Sequence, residues 1–332
     1  MPTPGWLSHP DAVDAQVAAW AAAHPDHLLA ESITQYAGRP VWAVTVTDRR
    51  LPDEPKRKLL TFKPHAHEPA PIAGQISAIS MLLDGQTLDG RPTEFDNERI
   101  LRDCLLTFIL DANPTGTAQA PVESWDGSQY TNEELWIWMR GLDLETCRMW
   151  QRVDIWDERK VYPFPVRYGI VYEHVSEHEY VEPNRHHRST LFQWLFRLFE
   201  RHQWDLMLDL HQTEFTWNDD NCMVILPALF DEQPPEIQAA ETALAQRLLD
   251  AWSSTEGAHP TRDFAPLGYT GQERQYFLNC WREFAMQCPI ITSEIQNNNP
   301  RTPPWLQMRL NEIATREAVS FLVAASVLCA HK

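Results

Sequence analysis

Three short segments, far apart in the chain, carry residue types that together could hold a divalent metal ion and move a proton. His65-Ala66-His67-Glu68 lies just beyond the apolar run Leu59-Leu60-Thr61-Phe62. His211 closes Asp205-Leu206-Met207-Leu208-Asp209-Leu210, and Glu294 follows Pro289-Ile290-Ile291-Thr292-Ser293. Each candidate stands where a buried strand should stop. Two imidazoles and a carboxylate suit a single zinc ion with one position open to water, and a second carboxylate can then carry that water's proton. Such a set would make a hydrolase, with His65, Glu68 and His211 as ligands and Glu294 as the proton carrier.

Each piece also has a structural reading. An H-x-x-E tetrad alone is a weak signal, and its alternative is a surface histidine with a helix N-terminal glutamate favoured by the macrodipole. Its place at the end of an apolar strand, where folding requires neither residue, favours chemistry. His67 could replace His65, but a separation of three residues from Glu68 closes a better chelate than one. His211 could be a histidine satisfied by neighbouring backbone. Yet Asp209-Leu210-His211-Gln212-Thr213-Glu214 gathers five polar residues at a strand end, and a carboxylate near a ligating histidine can orient its ring. Glu294 could belong to a structural salt bridge. A lone buried glutamate is costly unless paired or functional, and beside a metal it could take a proton from water and return it to a leaving amine.

The elements that must position these residues alternate in type. Residues 10–24 pattern as an amphipathic helix, Val41 to Val46 and Lys58 to His65 as strands, and Ile72 to Leu83 as a helix stopped by Asp84-Gly85. Cys104 to Asp111 reads as a strand ending at the turn Asn113-Pro114-Thr115-Gly116. Residues 117–180 hold Trp125, Trp136, Trp138, Trp150 and Trp156 with little period, and read as an insertion or lid with helix near Asn132–Trp138. Helices follow over Ser189–His202, Glu236–Trp252 and Pro304–Ala330, with strands over Asp205–Leu210, Met223–Leu229 and Cys288–Ile295. The alternation predicts an α/β fold, with a mostly parallel or mixed central sheet and helices on both faces. We expect one catalytic domain over residues 1–332, carrying the insertion. Ligands in such sheets gather at the carboxyl ends of strands, where all three segments fall.

Composition bounds the partners. Hydrophobic residues make up 43% of the 332, enough for a large core. With 28 basic and 46 acidic residues the formal charge is −18, which argues against nucleic acid or an anionic membrane as partner. The six cysteines form no C-x-x-C pair and read as reduced thiols. The first residues lack the basic and apolar regions of a signal peptide, and the longest apolar run, Ala318 to Ala330, is too short to span a bilayer. The expected location is cytoplasmic.

At these residues the chain resembles the zinc metallocarboxypeptidases of the funnelin type, over most of its length. That family has an H-x-x-E pair, a distant histidine ligand at the end of a central strand and a late catalytic glutamate, here His65, Glu68, His211 and Glu294. Gln35-Tyr36-Ala37-Gly38-Arg39-Pro40-Val41 resembles its G-x-S-x-x-G-R-x-I hairpin, and Asn113-Pro114-Thr115-Gly116 its N-P-D-G turn. Gly141-Leu142-Asp143-Leu144 resembles the start of its G-V-D-x-N-R segment, which implies that Asp143 supports the His65 ring. There the family continues with an Asn-Arg pair that holds the substrate's terminal carboxylate, whereas this chain has Glu145-Thr146. Asn184-Arg185 could supply that clamp if the insertion shifts the alignment, or could simply lead into the next helix. Arg140 and Arg148 are further candidates for a guanidinium near the metal. The family also uses a loop tyrosine ahead of its catalytic glutamate, and Tyr269 and Tyr276 bracket its place. The insertion, lying between Glu68 and His211, should wall the pocket.

The resemblance implies a zinc-dependent peptidase acting on a peptide. One rival is an amidohydrolase related to the acyl-amino-acid deacylases, which shares the H-x-x-E pair and the D-L-H-x-T segment seen at Asp209 to Thr213. Its substrate would be an acyl-amino acid or a cell-wall peptide. A second is a zinc-bearing, non-catalytic peptide-binding domain, for which Glu294 would have no use.

Overall fold

A computed structural model describes residues 3–142, 154–160, 167–214, 219–266 and 268–329. The first half runs α1 (Pro10–Ala23), β1 (Leu28–Thr34), β2 (Pro40–Val46), β3 (Arg57–Phe62), α2 (Pro69–Asp84), α3 (Asn97–Asp103), β4 (Cys104–Ile109) and α4 (Pro114–Thr117). There follow α5 (Asn132–Arg140) and five short strands: β5 (Gly141–Leu142), β6 (Trp156–Asp157), β7 (Arg167–Tyr168), β8 (Glu173–Ser176) and β9 (Glu179–Val181). The second half is α6 (Thr190–Arg201), β10 (Leu206–Thr213), β11 (Cys222–Leu226), α7 (Pro235–Ser253), β12 (Ala265–Pro266), α8 (Gly271–Ala285), β13 (Ile290–Gln296) and α9 (Pro304–Cys329).

Among the described residues the main sheet orders its strands β1-β2-β4-β3-β10-β13-β11-β12. Its centre, β4-β3-β10-β13, is parallel, while β1, β2 and β11 add antiparallel pairings toward the two sides. The sheet is therefore mixed and the class α/β, as the alternation predicts. Helices cover both faces, because successive strand residues point to opposite sides. Leu206, Leu208 and Leu210 pack with Ile72, Ile76 and Ile79 of α2, Leu244 of α7 and Leu310 of α9. Met207 turns the other way, joining Leu60 and Phe62 of β3 against Leu191 and Trp194 of α6 and Trp281 and Phe284 of α8. No helix of the described residues is long and apolar enough to cross a membrane. Cys104, Cys222, Cys280 and Cys288 are buried free thiols.

α2 shows how closely the layers stack. It starts on prolines at its first turn, which lack a donor that a helix start cannot use anyway. Every residue from Pro69 to Leu82 is buried. Gly74 is required here, since a Cβ would lie 2.7 Å from that of Asn311 in α9. The helix stops at Gly85, whose φ of 73° suits a residue without a side chain.

Candidate metal centre

The strand alternation that sorts the two cores also aims the chemistry. Asp209 and His211 fall on the same face of β10 as Met207, and Thr292 and Glu294 share a face of β13 with Ile290. The two strands are parallel neighbours with His211 opposite Glu294 and Asp209 opposite Thr292, so the imidazole and the carboxylate leave the sheet side by side. β3, on the other flank of β10, ends at Phe62 and delivers His65 three residues later. Lys63 is wholly buried and ties this exit to the next one, its Nζ donating to Asp111 Oδ1 at 2.8 Å and Thr117 Oγ1 at 3.3 Å. The Asn113-Pro114-Thr115-Gly116 turn braces the same loop: a Cβ at Gly116 would run into the Ile170 carbonyl and crowd Ala66.

His65, Glu68 and His211 converge, their ligand atoms all within 4.8 Å of one another. His65 Nδ1 lies 2.8 Å from Glu68 Oε1, and His211 Nδ1 lies 3.0 Å from Glu68 Oε2. The two imidazoles meet edge to face with centroids 4.7 Å apart. His67 stacks on His65 instead, at 5.4 Å, and lines the cavity outside the triad.

A test of fit comes from the other ring nitrogens. His65 Nε2 lies 3.0 Å from Glu182 Oε1, and His211 Nε2 lies 3.0 Å from Asp209 Oδ1. A neutral imidazole carries one N–H. Carried on Nε2, the side of those carboxylates, it leaves both Nδ1 lone pairs pointing at the Glu68 carboxylate, an arrangement that repels itself unless a cation sits among them. The two imidazole–Glu68 separations, 2.8 and 3.0 Å, also lie close to the ~3.3 Å edge of a tetrahedral zinc site with bonds of ~2.0 Å. The donor set therefore fits zinc, with carboxylates behind both imidazoles to fix their tautomers. Protons compete for the same place. Burial pushes the His211 pKa down, but Asp209 and Glu68 outweigh it and raise it well above its ordinary value. Burial likewise works against ionised Glu68, yet the two imidazoles hold its carboxyl well below the usual range.

A cavity of ≈220 Å³ opens on the triad, walled by His67, Met139, Arg140, Asn184, Met223, Ile225, Tyr269, Phe277 and Glu294 among others. Burial pushes the Glu294 carboxyl up to about 8, with Glu68, Asp209 and Glu214 adding to the rise and His211 opposing it. Its Oε2 is buried without a hydrogen-bond partner among the described residues. Arg140 and Met139 arrive from residues 117–180, so this segment does line the cavity. Asn184 is also there, its Oδ1 3.2 Å from His65 Nε2.

The Arg185 guanidinium is not on the cavity wall. It is buried, with Nε 3.1 Å from Glu182, Nη1 donating to Glu273 at 2.7 Å and Nη2 donating to the Tyr269 hydroxyl at 2.8 Å. Tyr269 is a wall residue, whereas Tyr276 donates to Asp154 on the exposed side of α8. Asp143 and Arg148 lie outside the described residues. The support foreseen for His65 comes, among the described residues, from Glu182. Its signal was in the sequence: Val181-Glu182-Pro183-Asn184-Arg185 repeats V-D-x-N-R with one acid exchanged for the other. Glu214 was also missed as a site residue, and it lines the cavity with both oxygens bonded.

The sequence matches no protein-family model and no curated protein. Solved structures match nearly its whole length. A metallo-carboxypeptidase from Burkholderia cenocepacia aligns with 95% of this chain and 70% of its own at 13% identity and a TM-score of 0.54. One from Pseudomonas aeruginosa, in complex with (2-guanidinoethylmercapto)succinic acid, aligns with 93% and 68% at 16% identity and 0.55. Carboxypeptidase A from Helicoverpa armigera aligns with 93% and 73% at 12% identity and 0.56. The chain thus has the fold of the metallocarboxypeptidases. Identities this low establish a likeness of architecture.

Proposed function

We propose that the protein is a zinc-dependent hydrolase of peptide or amide bonds, carboxypeptidase-like in its working parts. One observation carries the reading: two imidazoles and a carboxylate from separate strand ends converge beside a cavity that also holds Glu294. His65 and His211 would hold the ion through Nδ1 and Glu68 through its carboxylate. Once bound, zinc supplies Lewis acidity, lowering the pKa of water and polarising a carbonyl. Glu294 takes a proton from the water that attacks the carbonyl carbon and passes it to the departing nitrogen. A nearby cation lowers a carboxyl pKa, which brings Glu294 from about 8 toward neutrality and makes both proton states accessible. Arg140 faces the negative charge that grows on the carbonyl oxygen. Arg185 offers a guanidinium for a substrate carboxylate, reached by displacing Glu273, with Tyr269 closing over it. The substrate is a peptide or an acyl-amino acid.

Glu294→Gln should keep its zinc and lose turnover by about 10²-fold or more, measured on peptides and N-acyl amino acids beside metal analysis. His211→Ala should lose zinc. Near-normal hydrolysis by the Glu294 variant would refute the assignment.

A further inference from the structure

Glu214 has no part in that chemistry, yet it is buried at the cavity wall, where an ionisable carboxyl is costly to keep. It stands three residues beyond His211, and Asn297 stands three beyond Glu294. Asn297 Nδ2 donates to Glu214 Oε1 at 3.1 Å, and Trp136 Nε1, from α5, donates to Glu214 Oε2 at 3.0 Å. The two catalytic strand ends and the helix therefore meet on one side chain. A second bond supports the same junction, Asn298 Nδ2 to Asn132 Oδ1 at 3.0 Å, at the start of α5. Gly127 packs so closely on the Asn298 carbonyl that a Cβ there would collide with it.

Trp136 and Arg140 are four residues apart in α5, one helical turn, so the anchored indole and the guanidinium share a face. We propose that Glu214 is a positioning residue: its carboxylate, shared by Asn297 and Trp136, latches α5 to the ends of β10 and β13 and so sets Arg140 over the cavity. This rests on the hydrolase reading, in which Arg140 meets charge that develops only in the transition state. Loosening the latch should then lower kcat with little change in KM.

The test uses Trp136→Phe, which keeps the ring and removes the donor, and Glu214→Gln, which keeps the shape and removes the charge and one acceptor. Amide hydrogen exchange over residues 132–140 reads the latch without any turnover. Both variants should exchange faster there, retain zinc and lose about tenfold or more in kcat, within the range for a misplaced transition-state donor. Combined with Arg140→Ala, Trp136→Phe should cost less than about twofold more, because the group it positions is gone. Unchanged exchange in both variants overturns the latch. Faster exchange with undiminished kcat, or losses that multiply fully with Arg140→Ala, overturns the positioning role. Wild-type protein that hydrolyses nothing sinks the hydrolase reading, a result told apart because the exchange difference persists.

Discussion

Glu182→Gln separates two debts carried by one oxygen. Glu182 Oε1 lies 3.0 Å from His65 Nε2 and 3.1 Å from Arg185 Nε, and its side chain is fully buried. Removing the charge leaves His65 with Asn184 Oδ1 at 3.2 Å as its alternative acceptor. Loss of such a supporting carboxylate typically weakens metal binding about 10–100-fold, or ~1.4–2.8 kcal/mol. Arg185 keeps Glu273 at 2.7 Å. The ~3–5 kcal/mol cost of orphaning a buried charge is therefore only partly incurred, and we expect about 2 kcal/mol off the stability of the metal-free protein. Zinc affinity is read by competition with a chelator at fixed pH, and stability by urea unfolding without zinc. Asp209→Asn is the partner experiment. It removes the negative charge 3.0 Å from His211 Nε2 and leaves Arg185 alone, so it should weaken zinc without the Arg185 share of the stability loss. If Glu182→Gln binds zinc within about twofold of wild type, the orienting contact has no energetic content and the fit argument fails.

Glu273→Gln should free Arg185 for a ligand's carboxylate and lower KM for substrates that carry one by about fivefold, ~1 kcal/mol; an unchanged KM would mean that Arg185 does not face substrate. Stability should fall as pH rises, because burial lifts the carboxyls of Glu241 and Glu173 from 4.5 to about 7. Their contribution is complete below about 4.5 and is lost as pH climbs through about 7, worth about 3 kcal/mol for Glu241 by itself. Glu241→Gln should flatten the slope of urea midpoints between about pH 5 and 7, and an unaltered slope would contradict the assignment.

The parts of the site that were legible in the sequence are those set by strand periodicity. Asp209 and His211, two residues apart at the end of an apolar run, must share a face, and the helices before and after them show plain apolar spacing. α8 went unread although Leu278, Trp281 and Phe284 recur at helical intervals, because Glu273, Arg274, Arg282 and Glu283 dilute the pattern. β1 and α3 were missed as well, the first an outer strand with alternating exposure and the second only seven residues long. Glu182 escaped for a different reason. The segment Val181-Glu182-Pro183-Asn184-Arg185 carried its signal, but Gly141-Leu142-Asp143-Leu144 offered a competing match with the acid of the expected type, and local sequence does not show which one reaches the far nitrogen of His65.

The order of the central strands has a consequence for synthesis on the ribosome. β10 lies between β3, which precedes it in the chain, and β13, which follows it by more than seventy residues. A nascent chain that has emerged through residue 213 has the three candidate ligands His65, Glu68 and His211 but not Glu294, and β10 still lacks its neighbour on that side. The proposed proton carrier on β13 therefore joins the sheet only after the three candidate ligands have been made, so connectivity alone separates the two in time.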